Sequence, residues 1–167
     1  SEDACAKFEE MCRLADKYDL KLIVGLITGH MSGRYYAPPA FGLKNPLTDY
    51  TVIKWEVRFI KYFVNRFKNQ HCIAGWDLGN EVNGFRDDDL EDSSYVWSTL
   101  ITNTIKTCDP EHPVISGLDM VPVAKGEFNI RELGEIVDMH TVHPYNIFQT
   151  PNDPIISMRP VFESAHK

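Results

Sequence analysis

The sequence predicts an α/β protein built on a parallel sheet, and three observations carry that expectation. Short apolar runs recur along the 167 residues: LKLIVGLI at 20–27, CIAGWDL at 72–78, HPVISG at 112–117 and IVDMHTV at 136–142. Longer segments repeat apolar residues at three- and four-residue steps, the period of a helix with one buried face. The two kinds of segment alternate as αβαβαβαβα, and strands separated by helices form parallel sheets that those helices cover. Four such strands fit an open sheet or one half of a (β/α)8 barrel, and periodicity does not separate the two.

Each element has its own signature. Ala4, Cys5, Phe8, Met11, Cys12, Ala15 and Tyr18 make residues 3–18 an amphipathic helix. LKLIVGLI follows at once and, bounded by Gly29, suits a strand buried on both faces. Residues 28–49 read as a long Gly- and Pro-rich loop ending in NPLTD, where Thr48 or Asp49 can cap the next helix. That helix, 50–69, carries Val52, Ile53, Val57, Ile60, Val64 and Phe67 on one side. After the strand at 72–78 comes an acidic loop, FRDDDLEDSS, and a helix at 93–108 with Trp97, Ile101 and Ile105 in register. Asp109-Pro110 stops that helix, because proline cannot continue the hydrogen-bond ladder. A short helix near 129–134 separates the last two strands, and the tail after Pro154 regains helical spacing. With no repeat, low-complexity segment or linker, residues 1–167 read as one structural unit.

Composition narrows the partners. Hydrophobic residues at 43% and charged residues at 25% are ordinary globular values, enough for a real core in a chain of this length. A net charge of −7 argues against nucleic acid, whose phosphates call for a basic surface. No apolar run reaches the roughly 20 residues of a membrane span. Cys5, Cys12, Cys72 and Cys108 form no CxxC pair and have no His at zinc-ligand spacing, so they read as small apolar core residues. The run Asp87, Asp88, Asp89, Glu91 and Asp92 lacks the glycine and ligand pattern of a calcium loop and reads as a solvated loop and helix cap. The chain opens on an amphipathic pattern with neither an initiator Met nor a signal peptide, and it holds no N-x-S/T acceptor. Compartment is therefore left open, with a lean to the cytoplasm, and the native amino terminus is expected to lie upstream.

The chemistry gathers where the strands end. Thr28, Gly29 and His30 follow the first strand, and Asn80 and Glu81 follow the second. Asp119 follows the third, and His143, Pro144 and Tyr145 follow the fourth. Ligands in parallel α/β folds bind at the carboxyl ends of the strands, so four segments deliver His, Asn-Glu, Asp and His-x-Tyr to one rim.

WDLGNE, a later strand ending HPY and LIVGLITGH together resemble the clan of (β/α)8 glycoside hydrolases that includes the family 5 cellulases and mannanases. The resemblance runs from the second helix to the sixth and implies a partial TIM barrel, strands three to six of eight with their flanking helices. It also implies retaining hydrolysis of β-glycosidic bonds in oligo- or polysaccharides, with no metal or organic cofactor and a carbohydrate as the partner. Carried over by position, Glu81 is the general acid/base, Asn80 meets the sugar 2-hydroxyl, and Tyr145 approaches the nucleophile and the ring oxygen. His143 and His30 line the glycone subsite. Trp76 is a weaker candidate, because alternation along the strand can turn it toward a sugar or into the core.

The retaining mechanism needs a second carboxylate about 5–5.5 Å from the first. The late acid Glu163 lies in RPVFESAHK, where Met158, Val161, Phe162 and Ala165 have helical spacing, so helix six is the better assignment there. The nucleophile is thus expected outside this chain, and the 167 residues on their own are expected to be inactive. Two rival readings stand beside this one: a half-barrel that binds carbohydrate without cleaving it, and a structural α/β domain. An incomplete barrel exposes unpaired sheet edges, which invite self-association.

Overall fold

The computed structural model describes residues 1–28, 30–31, 34–84, 92–119, 128 and 130–143. Helix α1 (Glu2–Lys17) starts at Ser1, whose hydroxyl accepts the Ala4 amide at 3.3 Å, and Glu2 and Asp3 sit at its positive end. Its apolar face buries Cys5, Cys12 and Ala15. Strand β1 (Leu22–Gly25) leads into a small antiparallel hairpin, β2 (His30–Met31) with β3 (Arg34–Tyr35), inside what the sequence presents as an uninterrupted loop. Asp49 then caps helix α2 (Tyr50–Phe67), accepting the Thr51 and Val52 amides at 2.8 and 3.1 Å.

Strand β4 (Ile73–Asp77) is central, pairing in parallel with β1 on one side and β5 (Val114–Ile115) on the other. Helix α3 (Ser93–Cys108) connects β4 to β5 and packs Trp97, Ile101 and Ile105 inward. Asp92 occupies its N-cap position in the left-handed region, φ 65°, without a side-chain capping bond, so the expected acidic cap is not made by that residue. The expected strand at 112–117 is two short strands, β5 and β6 (Leu118–Asp119), broken at Gly117, whose φ is 63°. After helix α4 (Ile130–Leu133), Met139 bridges Ile115 and strand β7 (Val142–His143) pairs in parallel with β6.

Helices cover one face of this sheet. Phe8, Phe63, Phe67 and Trp76 meet edge-on or tilted, with Phe8 and Phe67 centroids 4.7 Å apart. Each such aromatic pair adds roughly 0.5–1.5 kcal/mol beyond the area it buries. All four cysteines are buried free thiols within this layer, as their apolar surroundings in the sequence suggest. The expectation that β1 is buried on both faces is corrected: Leu22 and Val24 pack against the core while Ile23 is 57% exposed. Alternation turns Ile23 to the face opposite the helices, and among the described residues no layer covers it there. The tail after Pro154, with its expected sixth helix and Glu163, lies outside the described residues.

Candidate active site

The turn after β4 is built by two glycines that no other residue could replace without movement. A Cβ on Gly79 would overlap the Ile27 carbonyl, and one on Gly117 would overlap both the Gly79 carbonyl and the Asp77 carboxylate. With that close approach made, the Glu81 amide donates to the Gly117 carbonyl at 2.8 Å. Glu81 itself takes φ 54°, a left-handed conformation that costs a non-glycine residue roughly 1–2 kcal/mol. A short 3-10 turn (Val82–Gly84) follows, closed by the Gly84 amide on the Glu81 carbonyl at 2.8 Å. Strain of this kind persists where surrounding contacts over-determine it, and here they aim one carboxylate.

That carboxylate is 4% exposed and sits between two imidazoles. Its Oε2 lies 2.9 Å from His30 Nδ1 and its Oε1 lies 3.2 Å from His143 Nδ1. The ionised carboxylate accepts from both rings when each carries its proton on Nδ1; a protonated Glu81 would instead donate to a ring whose Nδ1 is a lone pair. One proton can therefore be carried within this trio. Both rings are about a quarter open, 27% for His30 and 28% for His143, so the cluster is roofed without being sealed.

Three separate segments meet here. Asn80 donates its side-chain amide to the His30 carbonyl at 2.8 Å, and Gly84 leaves room for the His30 ring. Asn80 and Glu81 thus grip the same hairpin residue by its backbone and its ring. Parallel register sets Asp119 beside His143. Of the residues singled out in the sequence, His30, Asn80, Glu81 and His143 come together, and Tyr145 lies outside the described residues.

Trp76 does not join them, which corrects its candidacy as a sugar platform. It is fully buried on the helix side of β4, its indole N–H donating to Asp109 Oδ2 at 2.8 Å and its ring meeting Phe63 edge-on. No ring face is left for a ligand. The neighbouring Asp77, which sequence reasoning passed over, points the other way along the pleat. Its Oδ1 accepts the Gly79 amide at 2.8 Å. Burial pushes this carboxyl up to about 6, against the downward pull of the Gly79 N–H and of His143. The signal was present: a carboxylate inside the apolar run CIAGWDL needs a partner or a task.

A hollow of about 580 Å³ lies between the residues that follow β1, the segment 36–46 and the first half of α2. Its walls are mainly apolar, with Tyr36, Trp55 and Phe59 among them. It holds none of the four clustered residues.

Comparison with known proteins bears on this geometry. No family model matches the chain. Over 132 residues it is 27% identical to mannan endo-1,4-beta-mannosidase A of Hypocrea jecorina, a match covering 75% of this chain and 29% of that protein. A probable mannan endo-1,4-beta-mannosidase F of Neosartorya fischeri is 24% identical over 155 residues, 88% of this chain and 30% of its own. The chain thus spans less than a third of the curated relatives it matches. Among solved structures, GH5_18 of Streptomyces cattleya in complex with GlcNAc superposes with a TM-score of 0.80 at 15% identity, over 87% of this chain and 38% of that one. GH5_18 of Bifidobacterium longum subsp. infantis gives a TM-score of 0.77 at 18% identity, over 87% and 37%. The strand order, the Asn-Glu strand end and these likenesses agree: over part of their length, this chain is related to the (β/α)8-barrel glycoside hydrolases of family 5 and has part of their fold.

Proposed function

We propose that these 167 residues are one piece of a single catalytic barrel that hydrolyses β-glycosidic bonds with retention, and that Glu81 is its general acid/base. The observation that carries this reading is the Glu81 carboxylate, 4% exposed at the end of the central strand, with an imidazole on each oxygen. A general acid must reach the glycosidic oxygen, deliver a proton and take one back from water in the second step. A trio that shares a proton between a carboxylate and two imidazoles suits that cycle. The names of the relatives, mannan endo-1,4-beta-mannosidases, support a β-1,4-mannosidic bond as the one cleaved.

In this reading Glu81 protonates the leaving oxygen while a second carboxylate, about 5–5.5 Å away, attacks the anomeric carbon. That nucleophile is a Glu from a segment beyond these residues, in keeping with the short share of its relatives that the chain spans. The resemblance assigns Tyr145 the role of approaching that nucleophile and the ring oxygen. His30 and His143 border the glycone subsite, each with a second ring nitrogen to meet sugar hydroxyls. Asn80 holds the His30 hairpin and faces the 2-hydroxyl. No step in this scheme requires a metal or an organic cofactor.

The test is leaving-group dependence in the full-length protein that carries this chain. Glu81→Ala is expected to slow hydrolysis of a β-1,4-mannooligosaccharide by about 10²–10⁴-fold, the usual worth of a general acid. An aryl β-mannoside with an acidic phenol leaves unaided and should lose far less in that step. Equal losses of kcat/KM, which reports that step, on the two substrates would refute the acid role.

A further inference from the structure

We propose that Asp77 is a positioning residue for Glu81, acting through the Gly79 amide and the Gly79–Gly117 contact to aim the Glu81 carboxylate at the bond to be cleaved. The inference deepens the reading of Glu81 as general acid and rests on it.

Asp77 ends the central strand, where its register partners are Gly25 on one side and Ile115 on the other. Its backbone carbonyl accepts the Leu26 amide at 3.0 Å, so its Cα is fixed from both directions. From that anchored point the side chain reaches forward rather than outward, and Oδ1 accepts the Gly79 amide at 2.8 Å. The same oxygen lies against Gly117, at the position a side chain there would need. Gly117 in turn accepts the Glu81 amide through its carbonyl at 2.8 Å. The path from Asp77 to the Glu81 backbone is therefore two hydrogen bonds and one glycine contact, with no flexible side chain in between.

What this turn needs at position 77 is a side-chain oxygen held against the Gly79 amide. An aspartate or an asparagine side chain can supply that oxygen to the amide two residues on. This carboxyl is half-buried in the sheet end, where holding a charge is costly unless something meets it. What meets it is the Gly79 amide, and His143, the second imidazole on Glu81, draws on its charge. The left-handed φ of 54° at Glu81 adds the reason for a fixed turn. Released from the Asp77 anchor, Glu81 can relax toward ordinary backbone and swing its carboxylate off line. General acid catalysis is sensitive to that, since an ångström of misplacement can cost two orders of magnitude.

The experiment compares the full-length protein with Glu81→Ala, Asp77→Asn and Asp77→Ala on the two substrates named above, an activated aryl β-mannoside and a β-1,4-mannooligosaccharide. The quantity read is the ratio of their kcat/KM values, which report the bond-breaking step alone. Asparagine keeps an oxygen for the Gly79 amide, so Asp77→Asn should hold the ratio within about threefold of the parent. Alanine removes it, and Asp77→Ala should shift the ratio at least tenfold in favour of the aryl substrate, the same direction as Glu81→Ala. Asp77→Val takes its place if the alanine variant does not fold, with the same shift expected because it offers no acceptor to the Gly79 amide. A purely structural role would lower both rates together and leave the ratio unmoved, which would overturn the inference. So would an Asp77→Asn ratio as displaced as that of the alanine variant. If Glu81→Ala moves the ratio and Asp77→Ala does not, this inference alone fails. If Glu81→Ala itself leaves the ratio unchanged, the acid assignment fails and the role of Asp77 falls with it.

Discussion

At the scale of single residues, the arrangement around Glu81 converts small conformational demands into one aimed carboxylate. Gly117 illustrates the dependence. Its φ of 63° and the carboxylate and carbonyl packed on its Cα leave no place for a methyl group. Gly117→Ala is expected to destabilise the protein by about 2 kcal/mol, the left-handed cost plus displacement of its neighbours. A urea midpoint equal to that of the parent would contradict this. The histidines act on the carboxylate directly. A hydrogen bond to a charged group contributes about 1.5–3 kcal/mol, so His30→Ala and His143→Ala should each lower kcat on the oligosaccharide by at least about tenfold. Unchanged rates in both variants would mean that the two contacts, at 2.9 and 3.2 Å, serve folding alone.

At the scale of elements, α2 holds the least expected feature. Its buried stripe runs Val52, Glu56, Ile60, Val64 and Phe67, so a carboxylic acid stands where the helical period asks for an apolar side chain. Glu56 is 2% exposed; its Oε2 accepts the Trp97 indole N–H at 2.9 Å, while Oε1 is buried with no hydrogen-bond partner among the described residues. Burial pushes this carboxyl up to about 7, with Trp97 pulling weakly the other way. The folded-state value lies above the unfolded one. The folded state is therefore favoured fully below pH ~4.5 and loses that advantage as pH rises through ~7. The rise from 4.5 to about 7 corresponds to a loss on the order of 3 kcal/mol across that window. Glu56→Gln keeps an acceptor for Trp97 and does not ionise. It should match the parent at pH 4 and be the more stable protein at pH 8 in denaturant unfolding. A difference that does not change with pH would dispose of the titration argument.

At the scale of the whole molecule, the alternation of long helices with the strands of the parallel sheet was legible in the sequence, and so was the rim where the candidate site lies. The β2–β3 hairpin and the break at Gly117 were not. The three- and four-residue steps located α1, α2 and α3 because each has a long apolar face. His30, Asn80, Glu81 and His143 were legible because parallel topology brings strand ends together whatever the intervening loops do. Other features depend on neighbours far away in the chain. The direction of Trp76 is set by Phe63 and Asp109, and the bend at Gly117 by its contact with Gly79. Asp77 and Glu56 looked like interruptions of apolar runs, and only the tertiary partners give them roles. One consequence belongs to the chain as a whole. Ile23 at 57% and Met139 at 52% leave apolar surface open beside strand edges that have no partner among the described residues. Expressed alone, the 167 residues are expected to self-associate, with light scattering giving a mass above the 19.1 kDa monomer. A monodisperse monomer would contradict this. The central claim, Glu81 as acid/base of a retaining enzyme, is tested most directly by azide. With an activated aryl β-mannoside, full-length Glu81→Ala should form its glycosyl-enzyme and stall, because no base remains to activate water. Azide needs no such base and attacks the anomeric carbon from the β face, displacing the enzyme carboxylate. The account predicts that turnover rises with azide and that proton NMR identifies the product as the β-mannosyl azide. Turnover indifferent to azide, or an α-azide, would contradict it.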